Sequence, residues 1–102
     1  MNARDIAAAQ IQNAYETLGD PIYYNGSTES ILAIVSYGKG SEYKGSDISA
    51  VRATIRVQVS DVSEVEDNHT ILIGAVSWGV VAGDYSLSSS GLEWIININK
   101  VD

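Results

Sequence analysis

The clearest alternation of apolar and polar residues in the chain covers residues 51–59. The apolar residues Val51, Ala53, Ile55, Val57 and Val59 take every second position, and polar residues take the positions between them. A period of two predicts a half-buried β-strand. We expect this strand to lie inside a sheet, with its neighbours packed against the apolar face.

A helical period occurs near the N-terminus, over residues 3–18. Its apolar stripe consists of Ala7, Ile11, Ala14, Tyr15 and Leu18. Asn2 is placed as the N-cap, and Gly19, followed by Pro21, is placed as a left-handed C-terminal stop. Because the alanine-rich middle offers little apolar area, the helix should be marginal alone and should become ordered against a partner surface.

From Pro21 onward the pattern predicts short strands separated by turns. The predicted strands, besides 51–59, are residues 22–24, 30–37, 70–73, 76–81 and 92–99. Asn25-Gly26 and Gly74-Ala75 are predicted to be tight turns, and residues 31–35 are apolar on both faces, so this strand should be central or covered by the helix. Residues 38–47, 61–69 and 84–91 are predicted connections, the first a long mobile loop and the second with one helical turn.

These elements predict one domain over residues 1–102, with a helix in 1–19 and a β-domain in 20–102. The fold class is mainly β, with some α: a small β-sandwich or partly open β-barrel of about six short strands with one N-terminal helix. A chain of 102 residues is long enough for one modest core. Trp78 and Trp94 lie on the apolar register of their strands and are expected in that core.

Composition excludes several classes of function. The formal net charge is −7, with only six basic residues, which argues against a protein that binds nucleic acid by neutralising phosphates. The sequence contains no cysteine, so disulfides and thiolate metal sites are impossible. The N-terminus lacks the order of a signal peptide, and no apolar run reaches the length of a membrane span. We therefore expect an intracellular, soluble protein.

The chain offers weak candidates for chemistry. His69 is the only histidine and lies in a polar segment, where a solvated side chain is the simpler interpretation. The nearby acidic residues lack the ligand spacing of a calcium loop, and the Gly38–Gly45 glycines precede a strand instead of the helix that a phosphate loop requires. We predict no catalytic residue, no metal site and no cofactor, and hence a protein that is not an enzyme.

The order of elements and loops resembles that of one family. The features are the N-terminal helix, the segment ILAIVSYGKGSEYKGS with its glycine-containing loop, the VSDVSEVEDN connection, the hairpin HTILIGAVSWGVV and the last strand. Together they resemble the head-tail joining proteins of long-tailed bacteriophages, the head-completion or stopper family of the lambda type. The resemblance covers nearly the full length of the chain.

The resemblance implies a virion structural protein whose copies form a ring below the portal and its adaptor. Such a ring closes the DNA-filled head and offers the docking surface for the tail. Its partners would be other copies of itself, the portal or adaptor, and the tail terminator; DNA would pass through without specific binding, and no membrane is involved. The protein would lie at the head-tail interface of the virion, and in the host cytoplasm during assembly.

Two segments are candidates for contacts in that ring. Residues 38–47 are the candidate assembly loop, and the helix is the candidate contact to the adaptor or to a neighbouring copy. The loop residues concerned are Gly38, Lys39, Gly40, Glu42, Tyr43, Lys44 and Gly45, and the helix residues are Ile11, Tyr15 and Leu18. Tyr43 and Tyr85 are the aromatic residues most suited to an exposed contact. Alternatives are a tail-terminator or minor tail protein, and a cytosolic β-module that binds a small ligand.

Overall fold

A computed structural model describes residues 3–37, 43–44, 47–48 and 52–101, and the side chains of 9–37 and 52–101. Among these residues, one helix precedes eight strands. The elements are α1 (Ala3–Leu18), β1 (Asp20–Tyr24), β2 (Ile31–Tyr37), β3 (Tyr43–Lys44), β4 (Asp47–Ile48), β5 (Arg52–Gln58), β6 (Thr70–Ile73), β7 (Val76–Leu87) and β8 (Glu93–Lys100).

Six of these strands form a closed barrel in the order β1-β2-β5-β8-β7-β6, with every neighbouring pair antiparallel. The barrel closes where Tyr23 and Tyr24 of β1 pair with Leu72 and Ile71 of β6. Closure leaves no open sheet edge in the barrel. The predicted class, mainly β with one N-terminal helix, is confirmed, and the barrel is closed rather than partly open.

The alternation of residues 51–59 forms β5, which lies between β2 and β8. Ala53, Ile55 and Val57 point into the barrel and are buried, as the period of two predicts. They pack in one cluster with the inward residues of the other barrel strands: Ile22, Ala33, Ile71, Trp78, Val80, Ile96 and Ile98. The core is therefore the inside of the barrel.

Helix α1 packs on the outer face of β2. By register, Leu32 and Ile34 lie on this face, opposite to the inward Ala33, and both are half-buried. The strand was predicted to be central or covered by the helix because it is apolar on both sides, and it is covered. The bounds predicted for the helix, residues 3–18, also agree with the structure.

Gly19 ends the helix in a way that differs from the prediction. Its φ does not lie in the left-handed region, and its N–H donates to the carbonyl of Tyr15 at 2.8 Å, as in the helix itself. A Cβ at this position would lie 2.5 Å from that carbonyl oxygen and 3.2 Å from Cβ of Leu32. Glycine is needed here because the chain passes close to its neighbours, and the prediction of a left-handed stop was wrong.

The predicted connections needed three corrections. Asp84–Leu87 was assigned to a polar connection but continues β7, because Tyr85, Ser86 and Leu87 pair with β8 beyond an irregularity after Val80. Residues 61–69 form turns without a helix, and their Val62 and Val65 are buried in the core at one end of the barrel. In the predicted loop 38–47, Tyr43 and Lys44 form β3 and pair with β4, which begins at Asp47. The other residues of that loop lie outside the described part of the chain.

Both predicted tight turns are confirmed. Asn25 and Gly26 have φ of 51° and 78°, and the N–H of Ser27 donates to the carbonyl of Tyr24 at 3.1 Å. Positive φ at two successive positions is the requirement of a type I′ turn, which Asn-Gly meets well. At the second turn, Ile73 pairs with Val76 across Gly74 and Ala75.

Candidate functional site

The outside of the barrel has two different halves. Helix α1 packs on β2 and reaches β8 through the contact of Tyr15 with Glu93, on the half formed by β2, β5 and β8. The other half, formed by β1, β6 and β7, carries a surface groove. The candidate functional surfaces are these two halves, because one carries the helix anchor and the other carries the groove.

The helix is anchored by a buried polar cluster. Tyr15 is completely buried, and its hydroxyl donates to Oε2 of Glu93 at 2.8 Å. The second carboxylate oxygen of Glu93 accepts from the Arg56 guanidinium at 2.7 Å. Glu93 is only 3% exposed, whereas the Arg56 side chain is about half exposed. We call Tyr15, Arg56 and Glu93 the helix latch.

The latch satisfies a carboxylate that would otherwise be costly to bury. A buried charge needs a partner and hydrogen bonds to its remaining oxygens, and here one cation and one hydroxyl supply them. Burial and the neighbouring Glu93 raise the pKa of Tyr15 well above its usual range. Tyr15 therefore stays a neutral donor at physiological pH.

The groove on the other half has a volume of about 370 Å³. Tyr23 and Leu72 lie opposite each other on β1 and β6 and are 40% and 37% exposed. Ser77 of β7 is the cross-strand partner of Leu72 and extends the groove. The complete lining is Tyr23, Gly26, Ser27, Thr70, Ile71, Leu72 and Ser77, without a charged residue.

The groove borders a further exposed apolar residue. Val101 is half exposed and follows β8, where its N–H donates to the carbonyl of Ser77 at 2.9 Å. Tyr23 and Leu72 in the groove and Val101 beside it are thus exposed apolar side chains on the same half of the barrel. The groove and Val101 together form the strongest candidate for a protein contact among the described residues.

A second polar cluster lies at the end of the barrel closed by residues 59–69. Nδ1 of His69 accepts from the Tyr24 hydroxyl at 2.8 Å and from the N–H of Glu66 at 3.3 Å, while its Nε2 lies 3.4 Å from a Glu66 oxygen. A neutral imidazole with its proton on Nε2 satisfies all three contacts. The His69 side chain is 14% exposed, so the prediction of a solvated histidine was wrong.

This cluster holds a connection in place and offers no activated nucleophile. Burial is the main reason that the pKa of Tyr24 rises to about 12, so its phenolate is not populated at neutral pH. Neither Tyr24 nor His69 lines the groove. The geometry therefore favours a structural role: His69 ties residues 59–69 to β1.

Asp67 of the same connection fixes the irregular part of β7. One of its carboxylate oxygens accepts from the N–H of Gly83 at 2.8 Å and from the Tyr85 hydroxyl at 2.9 Å. These two hydrogen bonds lower the pKa of Asp67. Gly83 has a φ of 72°, in the left-handed region that glycine tolerates. Tyr85 was expected to be exposed for a contact, but it is half-buried and bonded within the chain.

The predicted helix residues fall in different environments. Tyr15 is inside the latch, Ile11 is half-buried, and Leu18 is 64% exposed. The Tyr15 side chain thus contacts the chain's own barrel, while Leu18 is accessible to a partner. For the predicted loop, Tyr43 and Lys44 lie in β3, and Gly38, Lys39, Gly40, Glu42 and Gly45 lie outside the described residues.

Sequence reasoning missed Glu93, Arg56 and the groove. Glu93 lies between Leu92 and Trp94, so the period of two places it on the outer face of its strand. Only the helix covers it, and no local pattern indicates where a helix docks. A weak signal existed in Tyr15, because a tyrosine on an apolar helix stripe needs a partner for its hydroxyl when buried.

Among the described residues, no group of three His, Cys, Asp or Glu side chains is arranged to hold a metal ion. Within the same part of the chain, no helix has both the length and the apolar character needed to cross a membrane. No protein-family model and no curated protein matches the sequence. The family resemblance stays a prediction that rests on the order of the elements.

Proposed function

We propose that this protein is a virion structural protein that joins a bacteriophage head to its tail. Several copies assemble as a ring that closes the DNA-filled head and presents the docking surface for the tail. The proposal combines the resemblance in element order with one geometric observation, the two different halves of the barrel.

That observation carries the proposal because a ring needs two different contact surfaces. In a closed ring each copy meets the next through a heterologous contact, in which one patch binds a second, unlike patch on the neighbour. The helix side and the groove side lie on opposite halves of the barrel. Such a placement allows the helix side of one copy to face the groove side of the next around a circle.

Charge supports the next copy as the occupant of the groove. Copies with a net charge of −7 repel one another, so they associate best through a surface without carboxylates. The groove is lined by apolar and neutral polar residues and meets this condition. An acidic ring also has little attraction for the phosphates of DNA that passes through it.

Sedimentation with phage heads tests the proposal. Tagged protein is incubated with tailless, DNA-filled heads, and bound protein and tail joining are scored. We expect binding and tail joining for the wild type, loss of both for Leu72→Asp in the groove, and retention for Leu87→Asp. Leu87 is a matched control because it is half exposed at the end of β7, outside the groove.

Other outcomes would replace the proposal. Sedimentation with free tails alone would make the protein a tail terminator or minor tail protein. Binding to neither would contradict any role at the head-tail junction.

A second candidate, a module that binds a small ligand, is favoured by the volume of the groove. A ligand at 100 times its dissociation constant adds about 2.7 kcal/mol to the free energy of unfolding. A thermal shift of this size with a metabolite library, absent in Leu72→Asp, would favour this function, whereas a ring subunit should show none.

A further inference from the structure

We propose that helix α1 is exchanged between neighbouring copies, so that Tyr15 of one copy donates its hydrogen bond to Glu93 of the next. This inference rests on the ring proposed above and names the contact that holds it together. Three features of the chain carry it: the length of the hinge, the way in which the helix is attached, and the nature of the site that receives it.

The hinge between helix and barrel is a single residue. Helix α1 ends at Leu18 and β1 begins at Asp20, which leaves only Gly19 between them. Short hinges favour exchange because they restrict how the helix can fold back on its own barrel. Glycine also adopts the widest range of backbone conformations, so the same residue can open into an extended link.

The described part of helix α1 is attached to its own barrel mainly at one point. Among its described side chains, Ala9–Leu18, only Tyr15 is fully buried, and the polar anchor that the structure describes is the Tyr15 hydroxyl on Glu93. Ile11 and Ala14 are half-buried, and the remaining side chains of this segment are exposed. One buried anchor can be released and re-formed without disturbing the barrel core, to which Tyr15 does not belong.

The surface that receives the helix can bind either the chain's own helix or the helix of a neighbouring copy. Without one, the buried Oε2 of Glu93 loses its hydroxyl donor, and the outer side chains of Leu32 and Ile34 lose their cover. Both losses destabilise the barrel. A helix from a neighbour supplies the same tyrosine and the same apolar face. The form with the helix on its own barrel and the form with exchanged helices therefore contain the same latch and differ only in the conformation of the hinge.

Distance and concentration set the condition for exchange within a ring. Tyr15 precedes Gly19 by four residues, which is about 6 Å of helix at 1.5 Å per residue. The exchange therefore places Glu93 of the neighbour close to the start of β1, across a direct contact between the two subunits. Neighbours held by a ring are at millimolar effective concentration, at which an intermolecular contact competes with the intramolecular one.

A complementation experiment with two full-length variants tests the exchange. Tyr15→Ala removes the donor and Glu93→Ala removes the acceptor, so neither variant can form the latch by itself. In a mixture, an exchanged ring pairs Tyr15 of a Glu93→Ala chain with Glu93 of a Tyr15→Ala neighbour. This restores half of the latches when the two variants alternate and about a quarter when they are arranged at random. A helix that stays on its own barrel restores none.

The variants are refolded separately and together, and the yield of ring on phage heads is measured. We expect a severalfold higher ring yield from the mixture than from either variant alone. The test remains valid if each variant alone fails to fold, because only exchange allows one variant to rescue the other. A ring yield from the mixture equal to the average of the two variants, together with normal ring formation by the wild type, would refute the exchange. It would not refute the ring itself. Failure of the wild type to form any ring would overturn both.

Discussion

Replacement of Tyr15 by phenylalanine tests how the helix is held. The substitution keeps the ring in its buried position and removes only the hydroxyl that donates to Glu93 at 2.8 Å. Hydrogen bonds to charged groups contribute about 1.5 to 3 kcal/mol, and more is lost when a buried partner is left unsatisfied. Because Glu93 is 3% exposed, water cannot readily replace the hydroxyl, and we expect a loss within that range.

Urea unfolding followed by tryptophan fluorescence measures this loss. Trp78 and Trp94 lie in or against the barrel core and report its unfolding. For a chain of this size the loss corresponds to a fall in melting temperature of roughly 6 to 24 °C. Tyr23→Phe is the matched control: the residue is 40% exposed in the groove, and its change should stay within about 0.5 kcal/mol. Equal effects of the two substitutions would refute the latch.

Three further predictions concern the hinge and the pH range of stability. Gly19→Ala should lower the free energy of unfolding by about 1 to 3 kcal/mol, because its Cβ would overlap the Tyr15 carbonyl. Gly79→Ala should be neutral or stabilising in the same urea titration, because its Cβ would make an ordinary van der Waals contact with Cγ2 of Val101 at 3.5 Å. The free energy of unfolding should fall above pH 10, since the pKa of Tyr24 is raised to about 12 and Tyr24 loses its proton first in the unfolded chain. Tyr24→Phe should make the melting temperature less dependent on pH in this alkaline range. Conversely, the pKa of Asp67 is lowered, so its ionised form should contribute stability that disappears as pH falls below about 4. Asp67→Asn should weaken this dependence in acid titrations.

Local periodicity predicted most of the fold. The helix bounds, the alternation of residues 51–59 and the hairpin at Gly74 follow from patterns that each segment carries by itself, and the structure contains them. The polar stretch after Asp84 was misjudged because β7 changes register there. A strand whose outer face meets only water can be polar, so composition did not distinguish it from a loop.

The candidate sites were harder to predict because they arise from contacts distant in sequence. Glu93 lies 78 positions from Tyr15, and its burial depends on where the helix docks. The groove likewise exists only because barrel closure brings Tyr23 beside Leu72. Val62 and Val65 sit in a segment rich in acidic residues, and their role in closing the barrel follows from the tertiary structure rather than from any local period.

The most direct test of the central claim is electron microscopy of tailless, DNA-filled heads after incubation with the wild-type protein. We predict a closed ring of density at the portal vertex, with rotational symmetry and with the groove side of each copy against the helix side of the next. A portal vertex without added density, or with single copies bound out of contact with one another, would contradict the account.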